Sequence, residues 1–151
     1  MQLSAEMLGF EPPPSAPSVG RYAPFVCHRG LVSIVQGPLW REELRYVGRV
    51  GAGIELAQAQ EAARLCCANL LVQLQAACGG DLSRVQSCYR LGGFINASEN
   101  FTEHTAVMNA ASELLLKVLG EEMRHSRYVV GCSSLPVNLA MELEGWFGIA
   151  S

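Results

Sequence analysis

No excess of basic residues marks this sequence. Lys and Arg total 11 against 14 Asp and Glu, a formal net charge of −3. Such a balance offers no electrostatic footprint to nucleic acid or to an anionic membrane. No apolar run approaches the roughly 20 residues that span a bilayer. Met1 to Glu11 lack the basic start and apolar centre of a signal peptide, so the expected setting is the cytoplasm. Charge of either sign is sparse, at 17% of residues, while half of the residues are hydrophobic. That ratio favours folding over disorder. A chain of 151 residues is enough for one domain with an ordinary core.

No C-x-x-C occurs among the six cysteines Cys27, Cys66, Cys67, Cys78, Cys88 and Cys132. Three fall within one predicted helix, where the vicinal pair Cys66-Cys67 cannot turn to a common partner. The expectation is buried free thiols in a reducing compartment. His28, His104 and His125 are scattered and no His/Cys pair has zinc spacing, so no metal site is expected. The glycines of Gly48-x-x-Gly51-x-Gly53 lack the lysine of a phosphate-binding loop and read as a plain turn.

Residues 1–24 read as an extended arm, with Pro12, Pro13, Pro14, Pro17 and Pro24 falling within 11–24. A single domain follows over 25–151. Phe25 to Cys27 and Leu31 to Val35 flank a turn at Arg29-Gly30 and predict a hairpin. Leu44 to Val50 predicts a further short strand. From Glu55 the period changes: Leu56, Ala59, Ala63, Cys66, Leu70, Leu74 and Ala77 predict a long amphipathic helix ended by Gly79-Gly80. Arg84 to Asn96 predicts a strand, with Gly92-Gly93 marking a bulge or a close backbone approach. A second helix, capped by Asn100 or Thr102, carries Val107, Ala110, Ala111, Leu114, Leu115 and Val118 and stops near Gly120. Arg127 to Ser133 predicts a strand. Asn138 to Phe147 alternates, with Leu139, Met141, Leu143 and Phe147 on one side and Glu142, Glu144 and Trp146 on the other. The reading is an α+β layer, two helices on one face of a mixed sheet. The other face still carries apolar residues such as Val129 or Tyr89, so another subunit is expected to cover it.

Several segments, in this order, resemble the RidA (YjgF-like) family across about 130 residues. They are Gly20-Arg21-Tyr22-Ala23-Pro24, Gln36-Gly37-Pro38-Leu39, Asn69-Leu70-Leu71 and Gly79-Gly80-Asp81-Leu82-Ser83-Arg84-Val85. Phe94-Ile95-Asn96, Val107-Met108-Asn109, Arg127 nine residues before Pro136, and Met141-Glu142-Leu143-Glu144 complete them. The resemblance implies a chorismate-mutase-like subunit in a homotrimer whose sheets form a central barrel. It implies clefts between subunits that bind small carboxylate-bearing metabolites, with no metal and no organic cofactor. The best-understood members hydrolyse enamines and imines such as 2-aminoacrylate to keto acids and ammonia.

Residue by residue, the resemblance makes Arg127 the carboxylate anchor. A planar guanidinium suits that role because it stays charged and can grip through two parallel hydrogen bonds. Glu142 matches the family's acid six places after the proline, which can orient or deprotonate water. Asn109 and Tyr22 match an amide and an arm tyrosine that line the cleft. Two departures concern the substrate. The family's usual Ser-Gly before the glutamine of the second strand is Ile34-Val35 here, and its frequent cysteine two residues after the arginine is Val129. With these three positions in the cleft, a larger or more apolar substrate than 2-aminoacrylate is expected. A non-catalytic metabolite-binding or regulatory trimer is the alternative. The endoribonuclease activity sometimes ascribed to the family fits poorly with an acidic chain that lacks a basic, aromatic-lined patch.

Overall fold

A computed structural model describes all 151 residues. In chain order the elements are α1 (Ala5–Leu8), β1 (Phe25–His28), β2 (Leu31–Gln36), β3 (Leu39–Trp40), β4 (Glu43–Leu44), β5 (Arg49–Val50) and β6 (Gly53–Ile54). Then come α2 (Leu56–Ala77), β7 (Val85–Asn96), α3 (His104–Leu119), β8 (Ser126–Cys132) and β9 (Met141–Ile149). Five strands form one mixed sheet in the order β1-β2-β9-β7-β8. Only β7 and β8 run parallel within it; the other pairs are antiparallel. The short strands β3 with β4, and β5 with β6, pair separately.

Strand alternation gives this sheet two unlike faces. Val32 and Ile34 of β2, Leu91 and Ile95 of β7, and Leu143 and Phe147 of β9 point under the helices and are fully buried. Their neighbours Val35, Phe94 and Val130 point the other way and stay exposed. No helix of the chain covers that open face; only its end is closed, where Asn96 is buried and donates to the Gly48 carbonyl and to Asn138.

The long helix α2 forms as expected, with no glycine or proline inside it. A reciprocal cap that the sequence reading did not identify starts it: the Glu55 amide donates to Gln58 Oε1 at 2.8 Å, and the Glu55 side chain accepts in return. Gly79 and Gly80 end it at φ +68° and +96°, their amides donating to the Ala76 and Gln75 carbonyls. A simple amphipathic helix would bury one stripe, yet residues 65–71 are all buried. The cause is a third layer. The N-terminal arm packs outside α2, with Gln73 donating to Ser15 Oγ and the Leu3 amide to Gln75 Oε1. The arm is therefore not extended throughout. Ala5–Leu8 is a turn of helix capped by Ser4, and Leu8 is buried. Burial on all sides also accounts for the vicinal thiols: Cys66 and Cys67 are both enclosed, and desolvation pushes both well up, keeping them protonated. Cys27 departs from the expectation, being exposed.

Two further corrections have local causes. The strand expected over Leu44 to Val50 breaks into β4 and β5, because Tyr46 and Gly48 adopt φ of +56° and +137°. Helix α3 starts after Glu103, with no side-chain cap from Asn100 or Thr102. At Gly92-Gly93 the pairing is regular and the register shifts lie earlier in β7. The glycines serve close approach instead: a Cβ on Gly92 would stand 2.4 Å from the Tyr128 ring, and one on Gly93 2.8 Å from Met108 Sδ.

Candidate functional site

Arg127 lies opposite Leu91 in the parallel β7–β8 pair, so it points under the helices. There it meets α3. Its Nη1 donates to Ser112 Oγ at 2.9 Å and its Nη2 to Asn109 Oδ1 at 2.5 Å. Asn109 and Ser112 are three residues apart and share one face of α3. Ser112 Oγ also lies 3.0 Å from His125 Nε2, whose Nδ1 lies 2.9 Å from the Met123 carbonyl oxygen. None of the chain's ion pairs involves Arg127. A part-buried guanidinium without an acidic partner is available to an anionic ligand.

Glu142 stands on β9 opposite Phe94, on the open face. It is half-buried, and desolvation pushes its carboxyl above the usual range. It too makes no ion pair; the neighbouring arginine, Arg90, bonds Glu144 at 3.2 Å instead. Val130, opposite Phe94 on β8, and Cys132 lie on the same face. A carboxylate with a raised pKa, set among apolar groups and without a counterion, is suited to taking a proton from water.

The remaining predicted residues divide between the faces. Val129, expected on the uncovered face, instead lies opposite Gly93, two places after Arg127, so it points under the helices and packs against the core. Val35 pairs with Glu144 and is 51% exposed on the open face. Ile34 lines no cleft in this chain: it is 1% exposed, because its neighbour Val35 takes the outward phase of the strand. Tyr22 projects from the arm, 65% exposed. The structure thus joins Asn109 to Arg127 but separates Arg127 from Glu142. They sit on opposite faces, two strands and three register positions apart, or about 14 Å between Cα atoms along the sheet.

Ser112 and His125 are the site residues that sequence reading missed. His125 stands two places before Arg127, but nothing in the pattern of a buried helix marks Ser112 as its bridge. No cluster of three His, Cys, Asp or Glu converges on a point where a metal ion could be held. Cavity volume does not mark the site either. A cavity of about 450 Å³ opens between the arm, the β3–β4 hairpin and α2, beside Phe10, Trp40, Arg45 and Glu61. A shallower one of about 370 Å³ lies on the open face among Leu31, Tyr89, Arg90 and Trp146. Neither includes Arg127 or Glu142.

Residues 3–144 match the family model described as "YjgF/chorismate_mutase-like, putative endoribonuclease". The protein TCP17 of Trypanosoma cruzi is 38% identical over 142 residues, which cover 92% of this chain and 88% of that one. The crystal structure of Atu1372 from Agrobacterium tumefaciens, a protein of unknown function, superposes with a TM-score of 0.89 at 36% identity, covering 98% of this chain and 92% of that chain. A Shewanella oneidensis structure with the same endoribonuclease description gives a TM-score of 0.90 at 31% identity, covering 97% of each chain.

Proposed function

This chain belongs to the YjgF/chorismate-mutase-like (RidA) family, and we propose that within it the protein hydrolyses imine or enamine carboxylates to keto acids and ammonia. One observation carries the reading. Arg127 is oriented by Asn109 and Ser112 and is left without any acidic partner. A guanidinium held in this way is suited to the carboxylate of a small acid.

The chemistry then needs a base near the C=N carbon. Glu142, partly desolvated and unpaired, takes a proton from water as the water oxygen bonds to the iminium carbon. The proton passes to nitrogen, the new hydroxyl gives its own proton to the freed Glu142 carboxylate as the C=O bond forms, and the C–N bond breaks to release ammonia. Holding water beside a compound that already hydrolyses unaided supplies much of the rate. No cofactor is required by these steps.

Arg127 and Glu142 lie too far apart, and on opposite faces, for one small acid to reach both in one chain. The proposal therefore places the site between copies, with Arg127 from one and Glu142 from the next. The uncovered apolar face with Val35, Phe94 and Val130 supports a trimer that buries it. Val35 and Phe94 beside Glu142 favour a substrate with a larger apolar side chain than 2-aminoacrylate. RNA cleavage is the weaker reading, since a net charge of −3 leaves no cation excess for a phosphate backbone.

Ammonia release from imines generated in situ by an amino-acid oxidase tests this proposal. Wild type should accelerate release, most with leucine- or phenylalanine-derived imines. Arg127→Ala should abolish both activity and carboxylate binding. Glu142→Gln should keep binding and lose about 10²–10⁴ in rate. If Glu142→Gln left the rate unchanged while Arg127→Ala still lost binding, the non-catalytic metabolite-binding trimer would be the better account.

A further inference from the structure

The bonds that hold Arg127 extend beyond the residues proposed to touch substrate, and we infer that Ser112 and His125 are positioning residues that aim the guanidinium at its carboxylate. The inference rests on the reading of Arg127 as the anchor.

The direction of the chain is fixed at both ends. A guanidinium only donates, so across the 2.9 Å from Arg127 Nη1 the Ser112 oxygen accepts. A backbone carbonyl only accepts, so across the 2.9 Å to Met123 O the His125 Nδ1 carries the proton. In the neutral ring Nε2 is then bare, and it accepts the Ser112 hydroxyl proton over 3.0 Å. Arg127 to Ser112 to His125 to the Met123 carbonyl is one polarised series, with each group in the only role open to it.

Local satisfaction does not explain this arrangement. A buried serine on a helix commonly bonds back to its own preceding turn. Ser112, 9% exposed, instead reaches across to β8 and to the segment that leads into it. Asn109 holds the second nitrogen from the same helix face, so the plane of the guanidinium is set from two points. Arginine has five N–H donors; two are committed here, and the remaining three are enough for a forked grip. Fixing the plane before the ligand arrives removes an ordering cost from binding. His125 acts one bond further out, because it takes the hydroxyl proton and leaves the serine lone pairs facing Arg127.

Titration calorimetry with 4-methyl-2-oxopentanoate, a product-like carboxylate, tests the series on the full chain. Ser112→Ala and His125→Ala should each weaken binding about tenfold, the loss of roughly one charge-assisted hydrogen bond. Ser112→Thr, which keeps the hydroxyl, should return to within about twofold. In imine hydrolysis the alanine variants should raise KM while kcat holds. In the wild-type protein the nitrogen chemical shifts of His125 should report a proton on Nδ1 and a hydrogen-bonded, unprotonated Nε2. The inference fails if Nε2 carries the proton. It also fails if both alanine variants bind like wild type while Arg127→Ala loses binding, and in that case the anchor reading stands. If Arg127→Ala itself binds like wild type, the anchor reading fails and takes this inference with it.

Discussion

The two faces of the five-stranded sheet are built to different degrees of completion. Under the helices, Arg127 is held by Asn109 and Ser112, and Leu91 opposite it is fully buried. On the open face, Glu142 has no polar partner in an ion pair, and Phe94 and Val130 beside it remain 37% and 43% exposed. One face is a finished interior that already orients a charged group. The other is a surface whose acid and apolar groups still lack their surroundings. On the proposed reading, each copy would finish the grip for one ligand and offer the unfinished acid for another.

Mixing variants tests this division most severely. Arg127→Ala retains Glu142 and Glu142→Gln retains Arg127, so neither homotrimer has a complete site. In a cyclic trimer assembled at random from equal amounts of both, three quarters of the molecules are mixed and each has one complete interface of three, giving roughly a quarter of wild-type activity. Co-expression of the two chains followed by the ammonia-release assay measures it. Mixed preparations no more active than their parents would place both groups on one side of any interface and break the comparison.

Truncations to alanine on the two faces give the next effect. Leu143 is fully buried under the helices, and Leu143→Ala should cost about 2–5 kcal/mol in urea unfolding. Val35→Ala, on the open face, should stay within about 0.5 kcal/mol in protein dilute enough to be monomeric. At concentrations that favour the trimer, Val35→Ala should lower the midpoint further. A cost for Val35→Ala that did not change with concentration would mean that the open face is not an interface.

Much of this contrast was legible in the sequence. The alternation read over Asn138 to Phe147 separated Glu142 and Glu144 from Met141 and Leu143, because a strand has period two and one face is buried. The strand itself starts only at Met141, after a turn at Pro136–Asn138. The helix periods and the Gly79-Gly80 end were equally plain. Arg127 and Asn109 came from family resemblance, since neither stands out from periodicity. The Ser112–His125 contact was out of reach. It depends on how α3 crosses β8, and no local pattern encodes that crossing. Ile34 was placed in the cleft by matching a family position, whereas the strand phase set it in the core beside the outward Val35. The strand expected near Leu44 failed for a backbone reason, a left-handed tyrosine that propensity does not foresee. The third layer was missed because an arm rich in proline looks unstructured until its partner helix is known.

The smallest expected effect concerns the charge on the unfinished face. Burial pushes the Glu142 carboxyl above its ordinary value of 4.5. The folded chain therefore keeps this proton to higher pH than the unfolded chain does. Wherever the folded state holds more protons, stability falls as pH rises. Wild type should thus lose stability from about pH 4.5 up to the folded pKa and then level off. Glu142→Gln has no such proton to lose. The two stability curves should coincide below that window, diverge through it with the glutamine variant the more stable, and run parallel above it. Urea midpoints from pH 4 to 8 on dilute protein measure the difference, in which all other titrating groups cancel. In the trimer, the Arg127 of a neighbouring copy would stand near Glu142 and favour its charged form, so the divergence should shrink as protein concentration rises. A divergence of the opposite sign in dilute protein would mean that Glu142 already has a favourable partner within its own chain, and the open face would be less unfinished than its geometry suggests.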